Sequence, residues 1–122
     1  MDKYEYWFAC MPGVGNAKKR KLREGMKTAE ELYYIEETKL TTNGLNEKEI
    51  QKYQEHIRQW KLDEEYQKML EKGVHCTNIF DKEYPKRLLQ VSSAPYAIFW
   101  KGELPEEEHP TVAIVGARDC SA

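Results

Sequence analysis

The apolar positions in the first quarter of the chain recur at helical spacing. Tyr4, Trp7, Phe8 and Met11 lie on one side of a helix, which predicts a short helix over residues 2–11. The segment Pro12-Gly13-Val14-Gly15 interrupts the pattern. A second helix is predicted from an N-cap at Asn16 to about residue 24, where Gly25 ends it.

The next helices are marked by caps and by an apolar stripe. Thr28 and Glu31 have the spacing of a capping box, in which each side chain bonds the other residue's backbone N–H. Asn46 has a glutamate three positions on and therefore caps another helix. That helix carries a continuous apolar stripe, formed by Ile50, Tyr53, Ile57 and Trp60. These signals predict a helical segment up to about residue 60.

A last helix of this part is predicted between Asp63 and Gly73. Glu64 and Lys68 are four residues apart, which favours an ion pair along one face of the helix. From residue 46 to residue 72 basic and acidic residues alternate. This alternation indicates a solvated face rather than a nucleic-acid surface.

After Gly73 the pattern changes to that of strands. Strands are predicted at residues 74–76 and 96–100, with a helical turn that starts at Pro85 and runs to Leu89. A continuous apolar run over residues 112–115 is typical of a strand buried on both faces of a parallel sheet. The predicted fold is mainly α, with a helical domain over residues 1–73 and the incomplete start of an α/β domain over residues 74–122.

Candidate chemistry lies where the last predicted strand ends. Gly116, Ala117 and Arg118 follow it directly, and in open α/β sheets ligands bind beyond the carboxyl ends of the strands. The guanidinium of Arg118 has a planar fork that suits phosphate oxygens. On the spacing alone, a core strand ending in a turn with a solvated arginine is the simpler interpretation, because the G-x-G-x-x-G pattern is absent.

A second candidate is the turn between the first two helices. A helix, a Pro-Gly-Val-Gly turn and a second helix resemble the helix-hairpin-helix motif, in which amides near Gly13 and Gly15 hold a DNA phosphate. Five cations crowd the second helix: Lys18, Lys19, Arg20, Lys21 and Arg23. Lys19 occupies a position where that motif usually has a small residue. A tight turn followed by a solvated basic helix is an equally good interpretation.

Composition narrows the class of protein. The formal net charge is −2, yet residues 1–28 carry seven Lys or Arg against three Asp or Glu, a local net charge of +4. Three widely spaced cysteines indicate reduced thiols, and no apolar run has membrane-spanning length. His75-Cys76 could begin a metal site, but no second ligand pair follows at a useful spacing. We expect a cytoplasmic protein without a metal or a cofactor.

Three segments in succession carry a family resemblance. They are Tyr84-Pro85-Lys86-Arg87-Leu88-Leu89, then Ala94-Pro95-Tyr96-Ala97-Ile98-Phe99-Trp100-Lys101-Gly102, then Val112-Ala113-Ile114-Val115-Gly116-Ala117-Arg118. This order closely resembles the DNA-processing protein A family (DprA, also called Smf) over roughly residues 74–118. The resemblance implies a helical domain of the SAM-like type followed by an extended Rossmann-like domain that continues past Ala122.

The resemblance also implies a function. Members of this family bind single-stranded DNA and help to load RecA recombinase onto it during natural transformation. Their α/β domain holds the DNA backbone and carries a dimer interface, so the full-length protein is expected to be a homodimer through parts of the sheet beyond this chain. The family commonly has Ser or Thr where this chain has Ala117, which removes a hydroxyl that could bond a phosphate.

No catalytic residues are recognised, so the chain is predicted to be a binding protein and not an enzyme. Two alternatives stay open. One is a fragment of a Rossmann-like enzyme that processes nucleotide phosphates, and the other is a helical protein-interaction module. The first would require a glycine-rich phosphate loop and a catalytic carboxylate further along the sequence.

Overall fold

The computed structural model describes residues 1–105. Within them the chain forms seven helices and two strands: α1 (Lys3–Ala9), α2 (Asn16–Glu24), α3 (Glu30–Tyr33), α4 (Glu37–Thr42), α5 (Glu47–Gln59), α6 (Leu62–Glu71), β1 (Val74–Asn78), α7 (Lys86–Leu89) and β2 (Ala97–Lys101). The predicted order of helices followed by the first strands of a sheet is thereby confirmed. The predicted strand at residues 112–115 lies outside the described residues.

Helix α1 lies at the centre of the core. The Asp2 side chain accepts the Glu5 N–H and caps the helix, as a short acidic residue does at an N-terminus. Trp7 and Phe8 are fully buried. The Trp7 ring is in edge contact with the Tyr53 ring and stacks on His56, both from α5. The predicted apolar face of the first helix is therefore the face that the rest of the protein covers.

Helix α5 follows its sequence signals closely. Asn46 and Glu49 form the complete capping box, with both reciprocal hydrogen bonds. Of the predicted stripe, Ile50 and Tyr53 are buried, and Ile57 and Trp60 pack against the core from half-buried positions. His56, on the same helix, is also buried. Its Nε2 donates a hydrogen bond to the Trp7 carbonyl at 2.8 Å. Burial is the main cause that lowers the His56 pKa.

Three local predictions were wrong in detail. The N-cap of α2 is Gly15, because the Asn16 side chain instead accepts the Tyr96 N–H. At the start of α3, the Glu31 side chain accepts the backbone N–H groups of residues 27 and 28. The Thr28 hydroxyl makes no capping hydrogen bond to the helix in return, so the capping box is incomplete. In α6 the ion pairs are three residues apart, between Lys61 and Glu64 and between Glu65 and Lys68, instead of the expected pair between Glu64 and Lys68.

Strands β1 and β2 form an antiparallel pair, in which His75 lies opposite Trp100 and Cys76 lies opposite Phe99. Successive side chains of a strand point to opposite faces, so these two pairs lie on different sides of the sheet. The face with Cys76 and Phe99 is turned towards α1, since the Phe99 ring is in edge contact with Tyr6 at 6.1 Å. Burial there raises the pKa of the Cys76 thiol to about 12.

The hydrophobic core extends across residue 73. Tyr84 and Tyr96 belong to the same buried cluster as Trp7 and Phe8, and the Phe8 and Tyr96 rings meet at 5.3 Å with an interplanar angle of 90°. The described residues after position 73 are thus packed directly onto the helices. A domain boundary near residue 73 stays a prediction.

Candidate nucleic-acid interface

The turn between α1 and α2 lies where the sequence predicts it. Gly13 has φ +82°, a conformation that favours glycine, and a Cβ atom there would come within 2.3 Å of the Lys52 side chain. Val14 between the two glycines is buried, which fixes the turn to the core. Gly15 has extended backbone and open space where a Cβ atom would lie.

A groove of about 630 Å³ lies beside the first turn of α2. One wall is the start of the helix, including Lys18 and Arg20, and the other is the turn that carries Ser92 and Ser93. The hydrogen bond from the Tyr96 N–H to Asn16, 3.0 Å long, fixes the two walls to each other. The serines of this groove carry no motif and could not be assigned to it from the sequence.

Two cations of α2, the half-buried Lys18 and the exposed Arg20, are paired with glutamates. Lys18 Nζ lies 2.6 Å from Glu49 Oε1, and Arg20 Nε lies 3.2 Å from Glu24 Oε1. The Glu49 carboxylate also caps α5, and its pKa is lowered by the Asn46 N–H and then by Lys18. The exposed Arg20–Glu24 pair contributes about 0–1 kcal/mol, so a phosphate could replace Glu24 at little cost. Lys21 is exposed on the same helix.

Lys19 is buried instead of facing solvent. Its side chain lies between α1 and α2 and donates one hydrogen bond, 3.2 Å long, to the Ala9 carbonyl at the end of α1. Burial lowers the pKa of Lys19 to about 8. The lysine thus takes the place between the helices where the hairpin motif usually has a small residue, and it does not present its charge to a phosphate.

Replacing Lys19 with Met should stabilise the protein at neutral pH. The folded state holds the Lys19 pKa near 8, whereas its ordinary value is 10.5, so below pH 8 folding keeps a charge buried. At about 1.4 kcal/mol per pKa unit, this costs on the order of 3 kcal/mol. Denaturant titrations should show the advantage of Lys19→Met at pH 7 and its decline as the pH rises from 8 towards 10. An advantage that does not vary with pH would contradict this assignment.

The Arg23 side chain is half-buried and paired within the protein. Its guanidinium forms an ion pair with Glu5 at 2.8 Å and donates to the Met26 carbonyl at 2.9 Å. The other oxygen of the Glu5 carboxylate accepts the side-chain amide of Asn78 at 2.9 Å. Arg23 therefore joins α2 to α1 and β1. Of the five predicted cations, Arg20 and Lys21 are exposed on the surface and Lys18 is half-buried.

The strand-end residues Gly116, Ala117 and Arg118 lie outside the described residues. Within residues 1–105, no group of three or more His, Cys, Asp or Glu side chains could hold a metal ion. No helix in the same range is long and apolar enough to cross a membrane. Cys10 and Cys76 are free thiols, as the sequence predicts for these two positions.

The structure also brings together two rings that the sequence did not connect. His75 and Trp100 lie opposite each other in the sheet, and their rings stack with centroids 5.4 Å apart and an interplanar angle of 25°. His75 is exposed and Trp100 is half-buried. The pairing depends on strand register, which the sequence alone leaves open.

Comparison with known proteins identifies the part of the chain after the helices. Residues 75–122 match the model of the family DNA recombination-mediator protein A. The resemblance to DprA is thereby confirmed, and it associates the chain with DNA processing and recombination. No curated protein and no solved structure matches the chain significantly.

Proposed function

We propose that this protein binds single-stranded DNA in the cytoplasm and helps to load RecA recombinase onto it, as a binding protein without catalytic activity. The observation that supports the proposal is the family match over residues 75–122, which includes Gly116, Ala117 and Arg118. At the predicted carboxyl end of a buried strand, Arg118 can bind a DNA phosphate with two parallel hydrogen bonds. The full-length protein acts as a homodimer in this proposal.

The helical part supplies an accessory cationic surface. Lys18 and Arg20 line the groove beside the first turn of α2, and Lys21 is exposed on the same helix. The N–H groups of the first helical turn have no acceptor within the helix and attract an anion. This surface can hold the DNA backbone without reading its sequence, because phosphate contacts position a nucleic acid rather than select its bases.

Replacing Lys18, Arg20 and Lys21 together with Ala should weaken DNA binding equally for all sequences. The slope of log K against log salt should shrink by roughly 0.7 for each single-strand phosphate contact that is lost. The fold should persist, because alanine favours helix and none of these three side chains is fully buried. The matched control replaces three exposed lysines elsewhere, Lys39, Lys61 and Lys68. An unchanged slope in the α2 variant would assign its cations to solubility alone.

RecA loading is tested by following RecA assembly on single-stranded DNA that a single-strand-binding protein already covers. The protein should shorten the lag before RecA ATP hydrolysis begins. The Arg118→Ala variant should not shorten it. An equal lag with and without the protein, at concentrations where it binds the DNA, would contradict the loading role while leaving the binding role in place.

A further inference from the structure

The groove beside the first turn of α2 is formed by two parts of the chain that are far apart in sequence. One wall is the start of α2, and the other carries Ile79 and residues 91–94, which lie in the segment 75–122 that matches the family model. Its volume of about 630 Å³ lies within the range of roughly 300–1,000 Å³ that small-molecule sites have. The groove therefore has room for more than a phosphate group.

Part of the groove lining is aliphatic. Ala17 from α2 lies on one wall, and Ile79, Val91 and Ala94 lie on the other. Val91 is 50% exposed, so a large part of its apolar surface is in contact with water. Covering such surface with a flat apolar ring is favourable, because it removes apolar area from water.

The polar part of the lining consists mainly of hydrogen-bond donors. Lys18 and Arg20 lie on one wall, and the exposed Ser92 and Ser93 lie on the other. Within residues 1–105 neither serine hydroxyl makes a hydrogen bond. Glu49 also lines the groove, but its Oε1 already accepts Lys18 Nζ and the backbone N–H at the cap of α5. Two cations against one engaged carboxylate, together with two hydroxyls, favour an anion with several oxygen atoms.

We propose that this groove holds one nucleotide of single-stranded DNA. Its base lies against the aliphatic lining, and its phosphate is bound by Lys18, Arg20 and the two serine hydroxyls. This proposal rests on the proposed function and deepens it, because the groove then binds a base as well as the DNA backbone. A base that is paired and stacked in a duplex cannot enter, so the groove selects the single strand.

The phosphate part is tested by the affinity of the full chain for a short fluorescein-labelled oligo-dT. Ser92→Asp should weaken binding by roughly ten-fold, because its carboxylate repels the phosphate. The slope of log K against log salt should shrink by roughly 0.7, the share of one single-strand phosphate contact. The matched control is Thr38→Asp, which makes the same change of charge at an exposed position in the first turn of α4 and should bind like the parent.

The base part is tested by filling the groove. Ala17→Leu adds an apolar side chain to the wall formed by α2, and leucine favours helix almost as well as alanine does. It should weaken oligo-dT binding several-fold with the salt slope of the parent, because no phosphate contact is lost. Gln51→Leu, at an exposed position of α5, should bind like the parent. Thermal melting of each variant shows that the fold persists.

The outcomes separate the groove from DNA binding as such. Parental affinity in Ser92→Asp or in Ala17→Leu would overturn the nucleotide site and leave the proposed function in place. Failure of the parent to bind oligo-dT would overturn the proposed function and the groove's role with it. If hexaglutamate displaces the labelled oligo-dT as well as unlabelled oligo-dT does, the groove takes an acidic peptide and the nucleotide assignment is wrong.

Discussion

Arg118→Ala is expected to reduce the affinity for single-stranded DNA by roughly ten- to a hundred-fold. The loss follows from removing a charge-assisted contact to phosphate, which is worth about 1.5–3 kcal/mol. Arg118→Lys should recover only part of the affinity, because an ammonium is a point charge without the planar fork of the guanidinium. Both variants should melt like the parent, since the sequence predicts that this side chain faces a solvated crevice.

Arg58→Ala is the matched control for Arg118→Ala. Arg58 is an exposed arginine on α5, and it lies outside the matched residues 75–122 in the sequence. The measurement is a DNA titration of both variants beside thermal melting. If Arg118→Ala melts like the parent and binds single-stranded DNA equally well, the strand-end site is wrong, and recognition must depend on other residues.

Phe8→Ala is expected to destabilise the protein by about 3–5 kcal/mol, the usual cost of removing a fully buried aromatic side chain. This is a large part of the 5–15 kcal/mol that typically separates folded from unfolded domains. Phe8 lies between Trp7 and Tyr96, and its loss leaves a cavity where α1 meets the segment that carries β2. The described residues on both sides of position 73 should therefore lose stability together.

Urea titrations followed by aromatic and by far-ultraviolet circular dichroism measure this effect. The two signals should change in one coincident transition, at a lower urea concentration in Phe8→Ala than in the parent. Tyr34→Ala, at a ring that is 67% exposed, should change the free energy of unfolding by no more than about 0.5 kcal/mol. Two separate transitions in the parent would contradict the shared core.

The features that the sequence predicts correctly are those that depend on neighbouring residues. The helix after Asn46 needs only its capping box and a stripe such as Ile50 and Tyr53, all within a few turns. The turn at Gly13 needs only a residue that tolerates positive φ. Local signals of this kind also identified β1, β2 and the short helix between them.

The features that the sequence did not predict depend on partners far along the chain. The Asn16 side chain accepts a hydrogen bond from the backbone N–H of Tyr96, 80 positions away. It therefore does not cap α2 as the sequence predicted. Arg23 forms an ion pair with Glu5, and Lys19 donates a hydrogen bond to the Ala9 carbonyl. Two of the five cations that were expected on the surface therefore stabilise the fold instead. A run of basic residues gives the charge of a helix but not which of its sides becomes buried.

The most direct test of the proposed function is a titration of the protein with labelled single-stranded and duplex DNA of equal length at several salt concentrations. We expect tighter binding of the single strand, with log K falling linearly against log salt by roughly 0.7 for each phosphate neutralised. Equal affinity for the two forms, or no measurable binding of the single strand at low salt, would contradict the account.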